Sequence, residues 1–305
     1  MGVVDNRYFA FVGVTTRSSA VVGLFRAWCD ILGVNWTLVH WDLAVDSPPN
    51  AYDRIVADFR SLDVLGGLVT THKANLFSSK WRAFDLLEPL STILNEIGVV
   101  FKREGELCGG VSDVESGSVI LASLTSSKVW LEGNRHAYIL GAGGAGLAAL
   151  WNLGYRGVGE AKQITIVDPD PYRREMAKRI SSDSSFLCHV TVTAGVDGQA
   201  DECINGSEHG SLVINATGLG KDRAGSPVSS EFVFPCAATV WDFNYRGELE
   251  FLKLAESQAA LRGLVIHDGF DYFACGWSFV MSRVAGRPWS LEVFSQFLSV
   301  AAAAR

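Results

Sequence analysis

A lysine that follows a β-rich run and an aspartate that opens a helical run stand about 40 residues apart in this chain. The lysine is Lys73, closing Leu68-Val-Thr-Thr-His-Lys73, and the aspartate is Asp113, closing Cys108-Gly-Gly-Val-Ser-Asp113. An ammonium beside a carboxylate can take up or return a proton at a substrate oxygen, because the carboxylate orients and tunes the nitrogen. By residue type alone each has a plainer reading, the lysine as a surface charge and the aspartate as a helix N-cap. A second constellation is more specific. The run AYIL leads into Gly141-Ala142-Gly143-Gly144-Ala145-Gly146 and then LAALWNL. The first glycine allows a tight turn, the second lets backbone approach a pyrophosphate, and the third lets helix pack closely on strand, with the helix N-terminus facing the anion. QITIVD then ends in Asp168, about 20 residues on, where a ribose hydroxyl needs an acceptor. The pattern predicts a bound dinucleotide. A carboxylate there accepts from a ribose 2′-hydroxyl and repels a 2′-phosphate, so NAD is expected over NADP. Arg173 and Arg174, one turn into the next helix, are the counter-signal, since an arginine can meet a 2′-phosphate; their plainer reading is as solvated helix charges. A glycine loop with a ribose-binding acid also serves S-adenosylmethionine, but nothing after Asp168 resembles a methyl-acceptor site.

The elements that must position these groups follow from the patterning. FAFVGV, the stretch 20–32, TLVHWDL, an acidic helical segment and VLGGLVT alternate strand-like and helical runs, which implies a parallel sheet. SGSVILASL reads as a linking helix, and the polar SSKVWLEGNRH marks a domain boundary within 116–132. From Ala137 the alternation restarts through AYIL, QITIVD, CHVTVTA, LVINAT and TVWDFNY, the order of a doubly wound dinucleotide domain. The expectation is an α/β protein of two domains. Residues 1–117, completed by helices within 269–305, form a substrate domain on a mostly parallel sheet, and 118–268 form a Rossmann domain. The last amphipathic helix is expected over 288–301.

Composition narrows the function classes. The chain has 305 residues, 48% hydrophobic and 19% charged, enough for two cores and too apolar for extensive disorder. A net charge of -7 with no Lys/Arg-rich run disfavours nucleic acid. The stretch 137–151 is too short and glycine-rich to span a bilayer, and no basic leader precedes an apolar run, so no membrane partner and a cytoplasmic location are expected. The six cysteines lie far apart and no histidine cluster appears, so reduced thiols and no metal are expected.

Together these segments resemble the shikimate and quinate dehydrogenase family, which carries a Val-Thr-x-Pro-His-Lys motif, an Asn-Thr-Asp motif opening the linking helix, and a GAGGA loop in its second domain. Gly13 before a serine-containing stretch, Gly105-Glu-Leu-Cys-Gly109, Ile214-Asn-Ala-Thr-Gly-Leu-Gly220, Trp241-Asp-Phe-Asn-Tyr245 and Asp268-Gly269 keep the family's order over nearly the whole chain. The resemblance implies that Lys73 exchanges a proton with the reacting oxygen while Asp113 orients it. It implies substrate contacts from Ser19, Thr70, Ser112 and Tyr245, and cofactor contacts from the glycine loop, Asp168, Asn215, Thr217, Gly218 and Gly269. Arg17 adds a guanidinium able to meet a substrate carboxylate.

The family's polyol-binding pattern is broken in places. Its second early serine becomes Val21, its Asn-Thr pair becomes Val111 and Ser112, its late glutamine becomes Gly276, and its motif proline becomes Thr71. The asparagine of its Gly-Ala-Val-Asn stretch has no clear counterpart in Ile97-Gly-Val-Val-Phe101. The expected activity is hydride transfer between NAD and a small, cyclic hydroxy acid other than shikimate, in a monomer or homodimer. The competing reading is a non-catalytic ligand sensor of the same fold. Trp241, Tyr245, Tyr272, Phe273 and Trp277 are candidates for a larger apolar pocket.

Overall fold

The computed structural model describes residues 7–195, 200–207, 209–221 and 223–305. In chain order the elements begin with β1 (Arg7–Gly13), α1 (Val21–Leu32), β2 (Trp36–Asp42), α2 (Ala51–Arg60), β3 (Val64–Val69), α3 (Lys73–Lys80), β4 (Leu86–Leu87), α4 (Pro89–Leu94), β5 (Val99–Arg103), β6 (Glu106–Gly110) and α5 (Asp113–Leu124). They continue through α6 (Lys128–Glu132), β7 (His136–Leu140), α7 (Gly144–Leu150), β8 (Gln163–Val167), α8 (Pro171–Ser181), β9 (His189–Thr193), α9 (Asp201–Ile204), β10 (Leu212–Asn215), β11 (Thr239–Asp242), α10 (Glu250–Arg262), β12 (Val265–His267), α11 (Phe270–Val284) and α12 (Leu291–Ala303). Two compact units result, Met1–Glu115 with Ala274–Arg305, and Ser116–Phe273.

The first unit is built on a sheet of order β2-β1-β3-β5-β6-β4. The run of buried residues in β1 shows why it is central: Phe9 and Phe11 face one layer while Ala10 and Val12 face the other. On the first face Phe9, Phe25, Trp28 and Trp277 form an aromatic block, and Trp28 stacks on Phe297 at 5.0 Å while donating its indole N–H to the Phe297 carbonyl. This packing fastens α12 and residues 274–284 of α11 within the first unit. Trp277, 3% exposed, is therefore part of this core, a correction to its place among the pocket aromatics. On the other face Tyr52, Phe59, Val69 and Leu76 close a second cluster with Val12.

One strand, β5, runs against the otherwise parallel sheet read from sequence. β1 pairs in parallel with β2 and β3, but β5 is antiparallel to both β3 and β6. The cause is a two-residue turn at Glu104 and Gly105, both at positive φ (52° and 87°), the geometry of a tight hairpin, which can join only antiparallel neighbours. The last helix also starts later than expected, at Leu291, because the Ser290 hydroxyl accepts the Val293 N–H and caps it there.

The second unit has a fully parallel sheet of order β12-β11-β10-β7-β8-β9. Taken in chain order this is the 3-2-1-4-5-6 winding of a Rossmann domain, whose ligands bind at the carboxyl ends of the strands where the order reverses. Here that point lies between β7 and β10.

Candidate functional site

In the first unit the carboxyl ends of β1 and β3 bring several functional side chains to one edge. Thr70 N–H donates to the Val12 carbonyl, and an added Cβ on Gly13 would lie 2.7 Å from the Thr70 methyl, so the two strand ends touch. Thr70 starts the turn into α3, with the Lys73 N–H donating back to its carbonyl at 3.0 Å. His72 is fully buried between the Tyr52 hydroxyl and the Leu43 carbonyl, which fixes the backbone that presents Lys73. The Lys73 stem passes over Gly98, where an added Cβ would lie 3.4 Å from Cε.

β6 ends at Gly110, whose carbonyl accepts the Gly98 N–H at 2.9 Å, and three residues later Asp113 begins α5. Lys73 Nζ and Asp113 Oδ2 form an ion pair, with the lysine side chain 20% exposed and the aspartate 9%. Burial draws the Lys73 nitrogen down, but the charges of Asp113 and Glu96 overcome it and push the nitrogen above the ordinary lysine value. The resting group is an ammonium, held against the unfavourable positive end of α3 by carboxylates.

Ser112 is buried beside Asp113, and Thr70 is half-buried. Ser19 and Arg17 lie on the turn after β1, half-buried and exposed, and Asp42 fastens that turn by accepting from the Thr16 N–H and hydroxyl at 2.9 and 2.7 Å. Tyr245 lies in the second unit, against Phe270 and Phe273.

In the second unit the glycine loop sits at the reversal point. Gly141 has φ 99° and lies against the 216–217 turn, where an added Cβ would come within 2.8 Å of the Ala216 carbonyl oxygen. A Cβ on Gly146 would overlap the Gly141 carbonyl oxygen. At Gly143 the same atom meets only Arg173 Nη1, at 3.9 Å, and no side chain caps the helix start. Backbone N–H groups with open space before them fit a pyrophosphate. Asn215 is fully buried; its amide oxygen accepts from the Thr217 N–H and hydroxyl, and its amide nitrogen donates to Asp242, so it holds the 216–218 turn from behind. Gly269 is needed for a close approach, because a Cβ there would overlap the Phe243 carbonyl oxygen.

Asp168 ends up with more to do than a ribose contact requires. It is 3% exposed, and its two oxygens accept the N–H groups of Ala142 at 2.7 Å and Asp170 at 2.9 Å. Arg174 donates to the Asp168 and Pro169 carbonyls, and Arg173 lies 3.7 Å from Asp168 and 3.8 Å from Asp170.

No protein-family model matches the chain. Among curated proteins it is similar to the shikimate dehydrogenase (NADP(+)) of Symbiobacterium thermophilum, 27% identical over 248 residues that cover 79% of this chain and 78% of that one. Among solved structures it matches shikimate dehydrogenase 1 from Peptoclostridium difficile with a TM-score of 0.72 at 17% identity, covering 98% of each chain. The chain is a shikimate dehydrogenase-like oxidoreductase. The ligand-free 5-ketofructose reductase of a Gluconobacter strain has the same fold, with a TM-score of 0.67 at 19% identity over 96% of this chain and 98% of that one.

Sequence reasoning left other groups at this edge unmarked. Glu96 bears on Lys73, and Arg283 of α11 pairs with Glu88 at 2.7 Å while approaching the Val111 carbonyl. No motif flags either; only proximity in the fold does. Among the described residues no group of three or more His, Cys, Asp or Glu could hold a metal, and no helix is long and apolar enough to cross a membrane.

Proposed function

We propose that the chain catalyses reversible hydride transfer between NAD and a secondary hydroxyl of a small, cyclic hydroxy acid other than shikimate, with Lys73 and Asp113 handling the proton. The observation that carries this reading is the ion pair of a partly exposed lysine with a nearly buried aspartate at the carboxyl edge of the sheet. When bound, the dinucleotide supplies or accepts the hydride, and the glycine loop with the 216–218 turn would hold it. In the reducing direction the Lys73 ammonium donates a proton to the oxygen as negative charge develops there, and in the oxidising direction neutral Lys73 takes it back. Asp113 keeps the nitrogen aimed and supports its charge.

Support for a substrate other than shikimate comes from the positions that face a polyol in the family. Val21 and Val111 are buried apolar residues, and Gly276 has no side chain. Each hydroxyl left unpaired costs roughly 1–3 kcal/mol, which three such losses make prohibitive. Ser19, Thr70, Ser112 and Tyr245 are the polar contacts that stay, and the exposed Arg17 suits a carboxylate. Preference for NAD rests on Asp168, with Asp170 beside it; the similar Symbiobacterium protein is named for NADP(+). The test is a panel of cyclic hydroxy acids and their ketones with NAD(H) and NADP(H), followed by absorbance of the reduced cofactor. Turnover of a less hydroxylated acid with NAD is expected. Shikimate or quinate efficiency on the order of 10⁴ M⁻¹s⁻¹ or above would overturn the substrate reading.

A further inference from the structure

The short connection into β5 carries a carboxyl that the mechanism above leaves unused. Glu96 is 2% exposed, although glutamate is almost never fully buried without a partner. Its N–H donates to the Ser91 carbonyl at 3.1 Å, and the N–H of the next residue, Ile97, donates to the carbonyl of Lys73 itself at 3.1 Å. Two residues on, Gly98 lies under the lysine stem. Glu96 Oε1 and the neighbouring Ser91 Oγ are both buried with no hydrogen-bond partner. The charged groups that bear on Glu96 are Lys73 at the start of α3 and Asp113 at the start of α5. Glu88 and Arg283, also near this edge, are paired with each other. An ionised carboxylate with one oxygen orphaned in the interior is costly, so such a group keeps a proton within reach.

We infer that Glu96 is a positioning residue that acts through Lys73, returning a proton to the lysine nitrogen after that nitrogen has passed its own to the substrate oxygen. The inference rests on the reading of Lys73 as the proton-exchanging group. In the reducing direction the reduced dinucleotide delivers hydride to the carbonyl carbon, a Lys73 N–H bond breaks as the product O–H bond forms, and the Glu96 O–H bond breaks as the Lys73 N–H bond is restored. The cluster is left as one ammonium and two carboxylates, and Glu96 regains its proton from water between turnovers. Its acidity suits this exchange: burial pushes the carboxyl up, the Lys73 charge draws it back and Asp113 raises it again, to about 7.

The deciding experiment is competitive acetylation of Lys73 across pH, read by mass spectrometry on the intact protein without substrate or cofactor. Glu96→Gln removes one of the two carboxylates that hold the ammonium, so the labelling midpoint of Lys73 should fall by roughly one pH unit. An unchanged midpoint would overturn the proposal. In the reducing direction the wild-type kcat profile should show a limb near 7 that Glu96→Gln abolishes and Glu96→Asp restores, with KM for the dinucleotide unmoved. A kcat limb that survives Glu96→Gln would also overturn it. A shifted labelling midpoint in a protein that transfers hydride to no hydroxy acid would keep the Glu96–Lys73 coupling and remove the dehydrogenase reading instead. Should Glu96→Gln not fold, infrared spectra of the otherwise native protein decide the matter, recorded in an Asp242→Asn background because Asp242 titrates in the same range. A buried carboxylic-acid band that fades between about pH 6 and 8 supports the proposal, and its absence refutes it.

Discussion

Replacing Asp168 tests whether cofactor choice and loop stability share one carboxylate. In Asp168→Ala both accepting oxygens disappear, and the two N–H groups behave differently. Asp170 is exposed, so its N–H can turn to water, whereas Ala142 is 1% exposed and its N–H is stranded. A stranded buried donor costs about 1–3 kcal/mol, which should lower the melting temperature by about 2–4 °C for each kcal/mol. Asp168→Asn keeps an amide oxygen for Ala142 and should lose less, but it no longer repels a phosphate. With the nearby Arg173 released from the charge at 3.7 Å, NADP affinity should gain on NAD by at least tenfold, about 1.4 kcal/mol. Calorimetric titration of both cofactors and thermal unfolding of both variants read the two effects. Equal NAD and NADP affinities in the wild type, or Asp168→Ala melting like the wild type, would refute the reasoning.

Lys73→Ala should lower kcat by about 10² to 10⁴ while NAD affinity barely changes, and adding Asp113→Asn should make the double variant little worse than the worse single one; steady-state kinetics and cofactor titration check this. Asp242 is pushed up to about 7, chiefly by burial. Its folded state therefore holds a proton that the unfolded chain has lost, so stability should decline as pH rises from about 4 to 7, by up to about 4 kcal/mol. Asp242→Asn should flatten that decline in denaturant melts across pH. Trp277→Ala empties the centre of the aromatic block around Phe9, Phe11 and Trp28, and should cost about 3–5 kcal/mol in urea unfolding.

The fold was largely legible because its strongest signals are local: a glycine loop between an apolar run and an alanine-rich helix, and β-branched runs such as QITIV separated by helical stretches. What escaped depends on contacts distant in sequence. Glu104-Gly105 sits among charges in Arg103-Glu-Gly-Glu106, which reads as solvated loop, yet it is the tight turn that makes β5 and β6 antiparallel. Trp277 follows Asp268-Gly269 closely enough to suggest a pocket wall, and only its packing on Phe9 and Trp28 shows it as core. Glu96 lies in a connection with no periodicity, so nothing in Asn95-Glu96-Ile97 announces a buried acid. The pairing of Lys73 with Asp113 was legible only through the family resemblance, and the strands β3, β5 and β6 supply its physical basis by lying side by side.

The β5–β6 hairpin works as a ruler for this edge. At its open end Gly98 supports the Lys73 stem and Gly110, hydrogen-bonded to it, precedes Asp113, and the register between them is counted from the turn at Glu104 and Gly105. One residue inserted in that turn can slip the pairing by about 3.4 Å and invert which side chains face inward. A change at the tip, eight or nine residues before Asp113, would thus pull lysine and aspartate out of reach of each other. Variation in loop length, usually well tolerated at solvent-facing turns, should be forbidden at this one, and libraries of insertions across the protein should show a gap there as sharp as at the site itself.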